Sequence, residues 1–203
     1  MRVYVESNAV LEIAFQQPEM EYVEDVIALA AQGRIDLSYP AIALYEPLST
    51  VVYRKNERAR IFEPIKRQST EFARSRHLRL VATAINVIAR SFRQADRSEQ
   101  TPLPATLALL VQYGRVIHLD SEILADAVSA TDTYAFGLKD AIVYSSLLAD
   151  LMRDPGDGDH VFTSRDTNAF GSVDVRRELS AAGCRYIARF RDGRDYIRST
   201  LTP

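Results

Sequence analysis

Residues 2–14 read RVYVESNAVLEIA, and this stretch sets the reading of the whole chain. Arg2 to Val5 is a short apolar run of the kind that forms a buried strand, and a helical pattern follows from Ala9 to Phe15. Glu6 falls at the turn between the two. A carboxylate directly after a buried strand stands at the edge where open parallel sheets collect their ligands.

The same grammar recurs along the chain. Glu19 to Ala31 reads as a helix closed by Gly33, Ile35 to Ser38 as a second strand, and Ser38-Tyr39-Pro40 as the opening of a helix that runs to about Tyr53 and kinks at Pro47. Val116 to Leu119, Val161 to Thr163 and Arg185 to Ile187 read as further strands. Helices are expected at Ala105 to Gln112, at Ser121 to Ala130 with Ser121 as cap, at Asp140 to Met152 and at Val175 to Ala182. Strands and helices alternating at this spacing imply a parallel sheet covered on both faces, an α/β/α sandwich. Residues 57–104 break the rhythm. They are polar and helical in period, with stripes at Ile61, Ile65 and Phe72 and at Leu78, Val81, Ile85, Ile88 and Phe92. Pro64 divides or starts one of these helices, and the segment reads as a helical insertion in a single domain of residues 1–203.

Composition narrows the class. A chain of 203 residues, 47% hydrophobic, is long enough to bury a core without disulfides or structural metal. A single cysteine, Cys184, excludes an intramolecular disulfide and suits a reducing compartment, so the expected location is the cytoplasm. No run approaches the roughly 20 apolar residues of a membrane helix. The net charge of -2 hides a segregation: residues 1–53 carry eight acids against Arg2 and Arg34, whereas residues 54–79 carry nine basic groups against Glu57, Glu63 and Glu71. Seven of those nine are arginines, which suit phosphate; Arg54, Lys55, Arg74, Arg76 and Arg79 are the nucleic-acid-binding candidates, with Tyr53 beside them for base stacking. A solvated helix face is the bland alternative.

Four carboxylates, Glu6, Glu46, Asp140 and Asp166, lie at strand ends or helix starts. Each alone is an ordinary cap or dipole partner. Together they make an acidic pocket of hard oxygen ligands, the chemistry of Mg²⁺ or Mn²⁺. Asn8, Ser164 and Asn168 are supporting candidates. The histidines His77, His118 and His160 lack ligand spacing, no phosphate-binding glycine loop or nucleophile elbow occurs, and Asp154, Asp157 and Asp159 read as a turn.

In these four segments, VYVESNAVLEIA, YPAIALYEPLSTVVYRK, GLKDAIVYSSLL and VFTSRDTNAFG, the chain resembles the PIN-domain nucleases from Arg2 to about Ile187. The resemblance implies a PIN-like sandwich and a Mg²⁺- or Mn²⁺-dependent ribonuclease with Glu6, Glu46, Asp140 and Asp166 as catalytic ligands. It further implies RNA as substrate, a toxin role with an antitoxin as partner, and a homodimer as assembly. The pattern departs from the family in having Glu6 for the usual aspartate, Asn168 where a further acid often stands, Phe170 one residue later than usual, and the long insertion. The alternative is a catalytically weak PIN-like module that binds RNA or a protein partner.

Overall fold

The computed structural model describes residues 1–156 and 159–201; of the acidic loop, Asp157 lies outside the described residues. Five strands, β1 (Arg2–Val5), β2 (Asp36–Pro40), β3 (Gly114–Ile117), β4 (His160–Thr163) and β5 (Cys184–Ile187), form one parallel sheet in the order β3-β2-β1-β4-β5. The chain therefore reverses direction across the sheet between β1 and β4, and the C-terminal ends of these two strands flank the crevice left there.

Period-two alternation divides the core between the two faces. Val3, Val5, Leu37, Tyr39 and Val161 turn to one side, where α1 (Ser7–Ala14), α2 (Met20–Ala31), α5 (Leu103–Tyr113) and α10 (Phe190–Leu201) cover them. Tyr4, Ile117 and Phe162 turn to the other, under α6 (Ser121–Tyr134), α7 (Leu138–Arg153), α8 (Thr167–Phe170) and α9 (Val173–Ala181). Helices thus bury both faces of a sheet whose strands are apolar on both, as all-parallel sheets require. Gly33, at φ +67, ends α2 in the left-handed conformation, while Arg34 N–H reaches back to the Leu29 carbonyl at 3.0 Å.

Several local expectations are corrected. The helix after β2 begins at Ile42, because Pro40 is the last residue of β2, where its missing N–H costs no ladder bond. That helix, α3 (Ile42–Arg74), is 33 residues long and passes through both Pro47 and Pro64 instead of stopping near Tyr53. Pro64 lies on an exposed stretch, so water can satisfy the carbonyl it leaves free four residues earlier. The cap of α6 is Asp120, whose carboxylate accepts the Ile123 N–H at 2.9 Å, and not Ser121.

The distal part of α3 returns through a short 3₁₀ turn, Arg76–Leu78, into α4 (Arg79–Gln100), and the two helices form an arm. Its buried residues include Phe62, Ile85 and Ala89, with Phe72 and Phe92 against them; Phe62 meets Phe92 edge-on at 5.4 Å. The inward stripe is therefore centred on Phe62, and Ile61, Ile65, Val81 and Ile88 face water. At the base, Arg58 binds Asp96 at 2.6 Å and also Glu99. Among the described residues, no helix is long and apolar enough to cross a membrane.

Candidate active site

Four elements deliver carboxylates to the C-terminal edge of the sheet. Glu6 follows β1 and caps α1; Glu46 sits in the second turn of α3, the helix that leaves β2; Asp140 lies in the first turn of α7, which runs back toward β4; Asp166 follows β4 and caps α8. Their charges act on one another in a chain: Glu46 on Glu6, and both Asp166 and Glu46 on Asp140.

Glu6 is buried and its oxygens are fully engaged. One accepts the Asn8 backbone N–H at 2.8 Å and faces Ser7 Oγ at 2.9 Å, and the other accepts the Ser164 hydroxyl at 2.8 Å. Burial pushes its carboxyl up to about 7, against those hydrogen bonds, and the Glu46 charge adds to the rise. Ser7 Oγ also lies 2.5 Å from a Glu46 oxygen. A hydroxyl has one proton to give, so Ser7 can donate to only one of the two acids at a time, and both contacts are favourable together only when the pair of carboxylates shares a proton. The remaining oxygen of Glu46 is held by Lys139 Nζ at 2.9 Å.

Asp166 uses one oxygen to accept the Ala169 N–H at 2.9 Å, and its own N–H donates to Ser164 Oγ at 3.0 Å. Tyr186, from β5, donates to the Ser164 carbonyl at 2.9 Å and so pins the loop from behind. Asp140 differs from the other three: half-buried, it accepts no hydrogen bond among the described residues. Burial first, then the Asp166 and Glu46 charges, push its carboxyl up to about 6, with Lys139 pulling the other way. Among the described residues, no group of three His, Cys, Asp or Glu side chains stands close enough to enclose a metal ion.

The supporting candidates divide. Ser164 links Glu6 to Asp166, Asn8 contributes through its backbone, and Asn168 is exposed on α8. Ser7 and Lys139 were not singled out by sequence, although each adjoins a candidate carboxylate. The histidines take no part: His160 is buried and bonded to Arg2 N–H and the Pro155 carbonyl, and His77 and His118 are exposed.

The arginine-rich segment is not a wall beside this cleft. Arg54 lies over the Phe15 ring at 3.8 Å, near the base of the arm, and Lys55 is exposed beside it. Arg74, Arg76 and Arg79 sit at the far tip. The 28 residues from Glu46 to Arg74 rise about 42 Å along α3. Tyr53 is 64% exposed.

Comparison with known proteins returns no match among family models, curated sequences or solved structures.

Proposed function

We propose that the chain is a PIN-like α/β/α nuclease that hydrolyses RNA phosphodiester bonds with Mg²⁺ or Mn²⁺. The observation that carries this reading is Asp140, a half-buried carboxylate with no hydrogen-bond donor among the described residues, raised toward neutrality by burial and then by two further carboxylates. Leaving such a group unpaired costs stability, and structural carboxylates elsewhere in the molecule are matched: Asp150 takes Arg115 at 2.6 Å and Tyr4 at 2.8 Å. The donor set is hard oxygen, which fits a divalent cation. Because these carboxylates do not close on one point, Asp140, Asp166 and Glu46 would hold it in part through its retained waters, with Glu6 behind them. When bound, the cation would supply an activated water and charge neutralisation at the phosphate.

The chain's own residues have defined tasks. Ala169 N–H fixes the Asp166 carboxylate, Ser164 Oγ accepts the Asp166 backbone N–H, and Glu6 anchors Ser164. Lys139 holds Glu46 and its charge also acts on Asp140, so its ammonium would meet a substrate phosphate at this edge. Arg54 and Lys55 would contact the RNA strand near the cleft, and Arg74, Arg76 and Arg79 only a strand that extends along the arm. An antitoxin, a second copy and a cytoplasmic setting belong to the same proposal.

Cleavage of single-stranded RNA with and without Mn²⁺ or Mg²⁺ tests it. Metal-dependent cuts that vanish in Asp140→Asn support the nuclease; metal-independent or absent cleavage overturns it. A second reading, a catalytically weak PIN-like binding module, is favoured by one feature: both Glu6 and Glu46 have their oxygens taken by Ser7, Ser164, Asn8 and Lys139. RNA binding without cleavage in either metal would select it.

A further inference from the structure

We propose that the cleft on the outer side of Asp166 is a nucleobase pocket that reads a guanine next to the scissile phosphate; this rests on reading the carboxylate edge as an RNA-cutting site. The cleft is shallow and open to solvent, has a volume of about 330 Å³ and is lined by Asn8, Glu12, Gln17, Arg165, Thr167 and Asn168 together with Asp166. A pocket of that size is at the lower end of those that hold small ligands.

Arg165 is its organising group. One guanidinium nitrogen binds Glu12 and lies 3.2 Å from Gln17 Oε1. Glu12 is only 1% exposed, and its other oxygen accepts the Glu19 N–H at 3.1 Å. A carboxylate buried this deeply is costly without its cation, so Arg165 is held in place by Glu12. Its side chain nevertheless remains 46% exposed, and among the described residues its Nε and second terminal nitrogen have no partner.

Charge decides between phosphate and base. Glu12 neutralises Arg165, and Glu19 also lies within range of it, so the cleft has no surplus positive charge for a phosphate. A planar fork with free N–H groups remains, surrounded by the side-chain amides of Asn8, Gln17 and Asn168. These donors and acceptors match a base edge, and an arginine fork pairs best with guanine O6 and N7. Placement agrees: Arg165 directly precedes Asp166, and Asn8 supplies a backbone N–H to Glu6. Glu12 is a positioning residue, acting through Arg165.

The test uses short single-stranded oligoribonucleotides identical except for one nucleotide beside the cleavage point, with guanine, adenine, cytosine or uracil there. In the parent protein, kcat/KM should favour guanine by about tenfold or more, the discrimination of one bidentate pair. Arg165→Lys keeps a cation against Glu12 and removes the fork; the preference should fall to within about twofold. Glu12→Gln should raise KM for the guanine substrate with little change in kcat, a split that general loosening of the fold would not give. Should that variant unfold, Glu12→Gln with Arg165→Gln, which leaves no charge uncompensated, should show the same lost preference. Equal cleavage of all four substrates by the parent, or an undiminished preference in Arg165→Lys, overturns the pocket while the nuclease stands. Binding of the same oligonucleotides to the Asp140→Asn protein, read by fluorescence anisotropy, separates the two claims. Guanine-selective binding without cleavage by the parent keeps the pocket and removes the nuclease. Neither binding preference nor cleavage removes both.

Discussion

At the sheet edge, acids are pressed together: Glu6 is buried, Asp140 is half-buried, and each is pushed toward neutrality by burial and by its neighbours. Along the arm, the opposite charge is spread over a helix about 42 Å long beyond Glu46, either facing water or matched, as Arg58 is by Asp96 and Glu99. Like charges that stand apart in water cost little. Like charges forced together and partly dried cost stability that the rest of the fold must supply, and chains keep such arrangements where a site needs them. The sequence displays its basic charge along the arm, yet the structure presses like charges together at the edge.

The sharpest way to break this contrast is chemical. Asp140→Asn or Asp166→Asn should reduce metal-dependent RNA cleavage by about a hundredfold or more, the scale on which single electrostatic groups at a reacting centre act. Arg74→Glu, Arg76→Glu and Arg79→Glu together should leave cleavage of a short oligonucleotide within a few-fold of the parent. Single-turnover rates on one labelled substrate compare them directly. If the arm triple variant lost as much as Asp140→Asn, the arm would belong to the chemistry and the distinction between the regions would fail.

Packing gives the next largest difference. Phe162 is fully buried among Phe170 and Tyr186, with the Phe170 ring at 5.0 Å, and Phe162→Ala should cost about 3–5 kcal/mol and lower the melting temperature of the whole molecule. Phe62 supports the small cluster of the arm, beside Ile85 and Ala89. Phe62→Ala should accelerate hydrogen exchange along α3 beyond residue 58 and in α4, while the sheet keeps its protection. Global destabilisation of equal size in both variants would show that arm and sheet fold as one cooperative unit.

How far this was legible in the sequence follows the same division. The strand ends are legible, because Val3, Tyr4 and Val5 and then Val161 and Phe162 are apolar runs, with Glu6 directly after the first and Asp166 a short turn after the second. The arm is not, because Pro47 and Pro64 are helix breakers by local rule and only the structure shows α3 continuing through them. By period its stripe runs through Ile61 instead of Phe62, since in a helix with so little buried surface adjacent apolar residues are not distinguished by period. α10 was missed for a related reason: its inward positions Phe190, Gly193 and Ile197 include a glycine, close-packed on Thr163, which contributes nothing to a hydrophobic pattern. The four carboxylates could be found one by one, but the ties that govern them could not. Ser7 between two acids, Lys139 on Glu46, and Arg165 on Glu12 are contacts between segments 39, 93 and 153 residues apart.

The smallest expected effect concerns pH, and it separates two kinds of carboxylate within the body itself. Asp150, matched by Arg115 and Tyr4, is held below its usual value; its contribution is present above the ordinary aspartate range and is lost as pH falls through the lowered folded value. Glu6 and Asp140 are raised, so the sign reverses. Their contributions are complete below 4.5 and 3.8 respectively and are lost as pH rises through about 7 and about 6. For the buried Glu6, a rise from 4.5 to about 7 corresponds to an upper bound on the order of 3 kcal/mol lost across that window. In metal-free buffer, denaturant titrations should therefore show the stability of the parent protein falling between about pH 5 and 7.5, where a chain with only matched carboxylates would be flat. Glu6→Gln retains an oxygen for the Asn8 N–H and removes the titrating charge, so its curve should flatten over that interval and cross above that of the parent near neutrality. Adding Mn²⁺ should recover stability in the parent at pH 7.5 and recover less in Asp140→Asn, because the repulsion it relieves is already reduced there. A parent whose stability rises steadily from pH 5 to 7.5, with Glu6→Gln running parallel below it, would mean that Glu6 is an ordinary ionised helix cap and that the edge carries no stored repulsion.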